Sequence, residues 1–116
     1  MSGTIHITEQ DVWSTGTATF ANIVERTWEK LERSERLLLD RAYSPMKEGF
    51  DFIALDELDE ASFRAFCRGC RAAFDECQSK QLVQPPELFS GVMDRWREFM
   101  TMLEADDRFD DASLNN

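Results

Sequence analysis

The chain has 116 residues, 42% of them hydrophobic, with nine Phe and three Trp, and a formal net charge of −10. This is one domain's length, and it is too apolar for a disordered chain despite the charge. The acidic excess argues against direct nucleic-acid binding, because phosphates would be repelled, and it favours a basic protein partner. No apolar run approaches the roughly 20 residues of a membrane helix, so no membrane partner is expected. Nothing at the N-terminus has the basic and apolar regions of a signal peptide, and the expectation is a cytoplasmic protein with reduced cysteines.

The charge is not spread evenly. Residues 48–60 carry six carboxylates (Glu48, Asp51, Asp56, Glu57, Asp59, Glu60) and no base. Residues 104–111 carry five carboxylates against the single Arg108. These stretches hold −6 and −4, so together they account for the whole net charge.

In chain order, Ile5 and Ile7 alternate around His6 and read as a short strand or N-terminal arm. Thr8-Glu9-Gln10-Asp11 has the form of a capping box, which predicts a short helix carrying Val12 and Trp13. From Ala18, the residues Phe20, Ile23, Val24, Thr27, Trp28 and Leu31 recur at helical spacing. The helix is expected to bend or break near Ser34. A second run, 35–43, carries Leu37, Leu38, Leu39 and Ala42 and is expected to end at Ser44-Pro45, because the residue before proline avoids the α region.

Residues 50–55 read as a strand or extended chain, and the only good pairing partner in sight is the Ile5–Ile7 segment. Asp59 suits the N-cap of a helix whose stripe is Phe63, Phe66, Cys67, Cys70, Ala73, Phe74 and Cys77. Gly69 in that helix points to close approach by a neighbour. Residues 78–84 read as a loop, and the last helix runs from about Pro86 to Ala105. Its apolar side includes Trp96, Phe99 and Leu103. A docked turn around Phe109 and a frayed tail, 112–116, follow. The predicted fold is mainly α: three to four amphipathic helices in a compact bundle with a small two-stranded β element, in one domain over 1–116.

Cys67 and Cys70 form a CxxC, but all three cysteines lie on the apolar stripe, where a free Cys acts as a small hydrophobe. His6 is the single histidine, and nothing reads as its catalytic partner. The acidic spacing is not that of a calcium-binding loop. No cofactor, metal or catalytic residue is expected, and the chain reads as non-enzymatic. Partner-binding residues are expected at Asp51, Phe52, Asp56, Glu57, Asp59, Glu60, Asp106 and Asp107, with the aromatic rings adding apolar contact beside the carboxylates.

The final stretch, ELFSGVMDRWREFMTMLEADDRFDD, resembles the ending of small bacterial immunity proteins of polymorphic-toxin and contact-dependent inhibition systems. The features shared are an amphipathic helix containing Trp96 and an acidic Asp-x-Arg-aromatic turn, Asp106-Asp107-Arg108-Phe109. The resemblance implies a protein that binds a cognate toxin and blocks its active site or substrate surface. Many such toxins are basic nucleases, which suits an acidic surface. The expected state is a monomer or homodimer. Two other classes fit the residues: a homo-oligomeric helical structural or adaptor module, and a metal or redox sensor built on Cys67, Cys70 and Cys77.

Overall fold

A computed structural model describes residues 2–110; the predicted tail 112–116 lies outside them. The chain runs β1 (Ser2–His6), β2 (Val12–Gly16), α1 (Thr17–Lys30), α2 (Arg33–Lys47), β3 (Phe52–Ala54), α3 (Glu60–Lys80), a 3-10 turn (Pro86–Leu88) and α4 (Phe89–Glu104). The mainly α expectation holds, with four α-helices and a small sheet.

The sheet has three strands in the order β2-β1-β3, not the two predicted. The predicted pairing of the N-terminal segment with 50–55 is present: β1 and β3 run parallel, with Ile5 opposite Ile53. The missing strand is β2, which pairs antiparallel to β1 with Ile5 opposite Trp13. Thr8 therefore caps no helix. Its Oγ1 accepts from the backbone N–H of Gln10 at 3.2 Å and of Asp11 at 2.8 Å, closing the β1–β2 hairpin. A threonine hydroxyl collecting N–H groups two and three residues on serves a turn as well as a helix start. The period of two decides between them: Trp13 and Thr15 are buried while Val12 and Ser14 are exposed.

The sheet's inner face lies on α1. Gly3 is what permits this, because a Cβ there would come within 2.1 Å of Phe20 Cγ. α1 ends at Lys30, and the break expected near Ser34 falls at Leu31–Glu32. Leu31 turns into the core, and Glu32 forms the capping box with Glu35, whose Oε1 accepts from Glu32 N at 2.8 Å. Arg36 Nε donates to the Trp28 carbonyl at 3.1 Å, a second donor beside Leu31 N at the C-terminal end of α1. Pro45 does not end α2, which continues to Lys47. In the last turn the proline forfeits one bond back to Arg41, too near the terminus to break the helix.

α3 is the central element. All seven predicted stripe residues, Phe63, Phe66, Cys67, Cys70, Ala73, Phe74 and Cys77, are buried. Asp59 caps it as expected, with Oδ1 accepting from Ser62 N at 2.8 Å. Gly69 lies under α1, where a Cβ would sit 2.8 Å from Leu31 Cδ2 and 3.3 Å from the Thr27 carbonyl. The helix runs into the first three residues of the predicted 78–84 loop and ends at Lys80, with Gln81 left-handed. Asn22 then anchors the following loop: its Nδ2 donates to the Gln84 carbonyl and its Oδ1 accepts from Gln84 N.

α4 closes the core with Trp96 and Phe99, both fully buried. Trp96 Nε1 donates to Cys70 Sγ at 3.2 Å, and its ring meets Phe74 edge-on. Trp13 is also buried, packed on Phe99 at 4.9 Å between ring centroids. Leu37 and Leu38, however, do not join Leu39 in the core; they are 77% and 50% exposed.

Candidate protein-binding face

Each carboxylate of 48–60 has a position fixed by local structure. Glu48 and Asp51 are exposed on the link from α2 to β3, where the Asp51 carbonyl accepts from Thr4 N at 3.0 Å. Phe50 is 56% exposed and lies 6.2 Å from Phe52, which lies 5.6 Å from His6. These three rings form a row beside the outer face of the sheet. Asp56 and Glu57 occupy the tight turn between β3 and α3, in which Leu58 N donates to the Leu55 carbonyl at 3.2 Å. Asp59 is committed to the α3 N-cap, and its bonds from Ser62 hold its carboxyl below the ordinary carboxylate range. Glu60 pairs with Arg64 one turn along at 3.5 Å.

The second acidic segment is built differently. Asp106 is not available to a partner. Its carboxylate is chelated by Arg108, Nε to Oδ1 and Nη2 to Oδ2, each at 2.9 Å, and its side chain is 5% exposed. These bonds hold its carboxyl below the ordinary range. Asp107 is exposed.

Arg108 itself is the residue whose role the sequence hid. Nη1 donates to the Leu55 and Leu58 carbonyls at 2.7 and 2.9 Å, and Nη2 to the Ile7 carbonyl at 2.9 Å. Its guanidinium lies 4.0 Å over the Phe63 ring, and its own carbonyl accepts from Arg64 Nε at 2.8 Å. With the two bonds to Asp106, all five donors of the fork are used. One side chain thus ties the end of β1, the Asp56–Glu57 turn and the C-terminal turn to α3.

Two grooves flank the Asp56–Leu58 turn. The first, about 410 Å³, is lined by Ile7, Thr8, Asp11, Asp56, Leu58 and the 105–108 turn, with Met102. Here the two acidic segments, separate in sequence, meet through Asp56 and Asp107, and Asp11 of the hairpin joins them. The second, about 680 Å³, runs between α2 and the turn, and its lining includes Leu37, Leu38, Arg41, Pro45, Glu48, Asp56, Glu57 and Asp59. Of the predicted partner residues, Asp56, Glu57, Asp59 and Asp107 therefore share one continuous grooved face. Asp51, Phe52 and Glu60 line neither groove.

The face also holds two residues outside the predicted partner set, Leu37 and Leu38. Both belong to the predicted 35–43 helical run, which names no exposed face for them. Three successive leucines span about 200° of a helix, so a stripe set by Leu39, Ala42 and Tyr43 must leave two of them outside it. That was the available signal. Burying a leucine is worth roughly 1.5–3 kcal/mol, so two exposed neighbours represent stabilisation this chain does not gain alone.

Among the described residues no group of three or more His, Cys, Asp or Glu is placed to hold a metal ion. Cys67, Cys70 and Cys77 are buried and unpaired, as their place on the stripe implies. Burial pushes the thiols up, Cys70 to about 12. His6 is on the sheet beside Phe52 and does not join them. No helix of the described residues is long and apolar enough to cross a membrane.

No protein-family model and no curated protein matches the chain. Among solved structures, it is similar to a chain of the complex described as "CdiA-CT toxin from Burkholderia pseudomallei E479 in complex with cognate CdiI immunity protein". The likeness has a TM-score of 0.78 at 24% identity and covers 91% of this chain and 97% of the other. The two chains share a fold over nearly their whole lengths.

Proposed function

We propose that this protein is the immunity partner of a toxin–immunity pair: a cytoplasmic, non-enzymatic protein that neutralises a basic toxin domain. The observation that carries the reading is the fold, shared almost end to end with a chain of a toxin–immunity complex. The matched complex holds both kinds of partner, so the fold alone does not choose between them. Electrostatics favours the inhibitor. A net charge of −10, with Asp11, Asp56, Glu57 and Asp107 gathered on one face, opposes approach to phosphates and suits a cationic protein surface. The carboxylates would take the place of nucleic-acid phosphate at the toxin's cationic residues.

The test is growth rescue together with binding kinetics, using as probe a toxin domain encoded by a reading frame adjoining this gene, which the proposal requires to exist. Expressed alone, the chain should be harmless; co-expressed, it should restore growth to cells making the toxin domain. The triple change Asp51→Lys, Asp56→Lys, Glu57→Lys should slow association at least tenfold at low salt and flatten its salt dependence, with the melting curve preserved. Growth arrest by the chain alone would identify it as the toxin instead. Failure to bind the neighbouring toxin domain would end the proposal.

A further inference from the structure

The groove between α2 and the 55–59 turn has two chemistries side by side. Its apolar side is Leu37 and Leu38, 77% and 50% exposed on successive positions of α2. Its opposite wall and end are acidic: Glu48, Asp56, Glu57 and Asp59 against the single Arg41. The acidic wall is preformed, because Arg108 holds the carbonyls of both Leu55 and Leu58 and so fixes the turn that presents Asp56 and Glu57.

We infer that this groove seats a cationic amphipathic helix of the partner protein, with apolar side chains on Leu37 and Leu38 and Lys or Arg against Asp56, Glu57 and Glu48. The inference rests on the proposed toxin-binding role for who the partner is, and on the groove's own chemistry for what the partner presents. Charge selects among the occupants an apolar groove could take. A second copy of this chain would bring the same carboxylates to the same place, at −10 for each chain. Nucleic acid and an anionic lipid surface are repelled by the same wall. A volume of about 680 Å³ accommodates a short row of side chains from one element and not a folded domain. Recognition by apolar anchors at helical spacing, with flanking charge, is the helix-in-groove mode. The Leu residues then set the lifetime of the complex, and the carboxylates set the rate at which it forms.

The experiment uses the full chain and two probes. The first probe is a synthetic amphipathic Leu/Lys helical peptide, titrated against the ¹⁵N-labelled protein. Its controls are a scrambled peptide of the same composition and a Leu/Glu counterpart. Shifts are expected at the amides of 37–48 and 54–62. Leu37→Ser with Leu38→Ser should weaken binding about tenfold at every salt concentration, while Glu57→Lys should mainly reduce the salt dependence. All three positions are exposed enough that the variants should melt like the wild type. Equal binding of the scrambled peptide, or shifts confined to another face, overturns the inference. So does sedimentation showing a dimer of the free protein that the two serine substitutions disperse, since a second copy would then be the occupant. The second probe is the neighbouring toxin domain. If it is bound and neutralised equally well by the double serine variant, the groove assignment falls and the immunity role stands. If the peptide seats in the groove but the toxin domain is ignored, the groove stands and the immunity role falls.

Discussion

Replacing Arg108 with Met should cost this protein more than any other single surface-facing change. The substitution keeps the side-chain stem over Phe63 and deletes the fork. It leaves the carbonyls of Ile7 and Leu58 without the Arg108 donor, reduces the Leu55 carbonyl to its bond from Leu58 N, and leaves Asp106 without its counter-ion. Hydrogen bonds to a charged group contribute about 1.5–3 kcal/mol each, so a plain sum would exceed what one residue can carry. Water from the adjoining groove, about 410 Å³, can reach the vacated carbonyls and lowers the cost. The closer comparison is a buried ion pair broken on one side, about 3–5 kcal/mol. Domains of this size are stable by about 5–15 kcal/mol, so the variant should remain folded but much weaker. In urea, with a slope of roughly 1.5 kcal/mol/M, the midpoint should fall by about 2–3 M. The pH dependence gives a second readout. Arg108 lowers the Asp106 carboxyl in the folded state. That group therefore stabilises the wild type above the unfolded value of about 3.9, and the contribution is lost as pH falls through the folded value. The gap between wild type and Met variant should narrow at acid pH. A loss under about 1 kcal/mol at pH 7, the scale of an exposed ion pair, would refute the role given to Arg108.

Three further outcomes follow from packing. Gly3→Ala should destabilise by about 2–4 kcal/mol, measured by thermal melting, because the new methyl meets Phe20 Cγ at 2.1 Å and the helix–sheet spacing must open. Gly69→Ala should be milder, a net loss of about 1 kcal/mol in the same assay: the Leu31 methyl at 2.8 Å can shift, the Thr27 carbonyl at 3.3 Å cannot shift easily, and alanine gains helix propensity. The three buried thiols should resist a thiol reagent at pH 8 over minutes and react at once in urea, since burial pushes all of them up. Rapid labelling of the native protein would contradict the packing of α3.

The parts of the fold that were legible are those where one signal acts alone. The α3 stripe, the Asp59 cap and the apolar face of α4 each follow from spacing or a single hydrogen bond, and they stand where the sequence puts them. The β1–β3 pairing was legible because β3 had few possible partners. β2 was not, because Thr8 offers the same acceptor to a turn as to a helix, and a five-residue strand with two inward side chains gives little periodicity. At the candidate face, charge was legible but its use was not. Asp56, Glu57, Asp59 and Asp107 line the grooves, while Asp106 is spent on Arg108. Nothing in a run of carboxylates tells a solvated acid from a chelated one; only the approach of β1 and the 55–58 turn does.

The two acidic segments look like one device once Arg108 is placed between them. The six-carboxylate stretch repels itself, and a turn carrying Asp56 and Glu57 in succession, with Asp59 just beyond, gains little from its own sequence. The cation that steadies it comes from the other segment and enters from behind, bonding backbone carbonyls and not the carboxylates that face solvent. Neutralising those carboxylates directly would have removed the charge a basic partner needs. Bracing their backbone keeps the charge exposed and the geometry fixed, which lowers the ordering cost of binding. The Asp-x-Arg-aromatic turn thus contributes to the face through position: Asp106 orients Arg108, Phe109 packs against the core, and Asp56 and Glu57 remain free to meet a cationic surface.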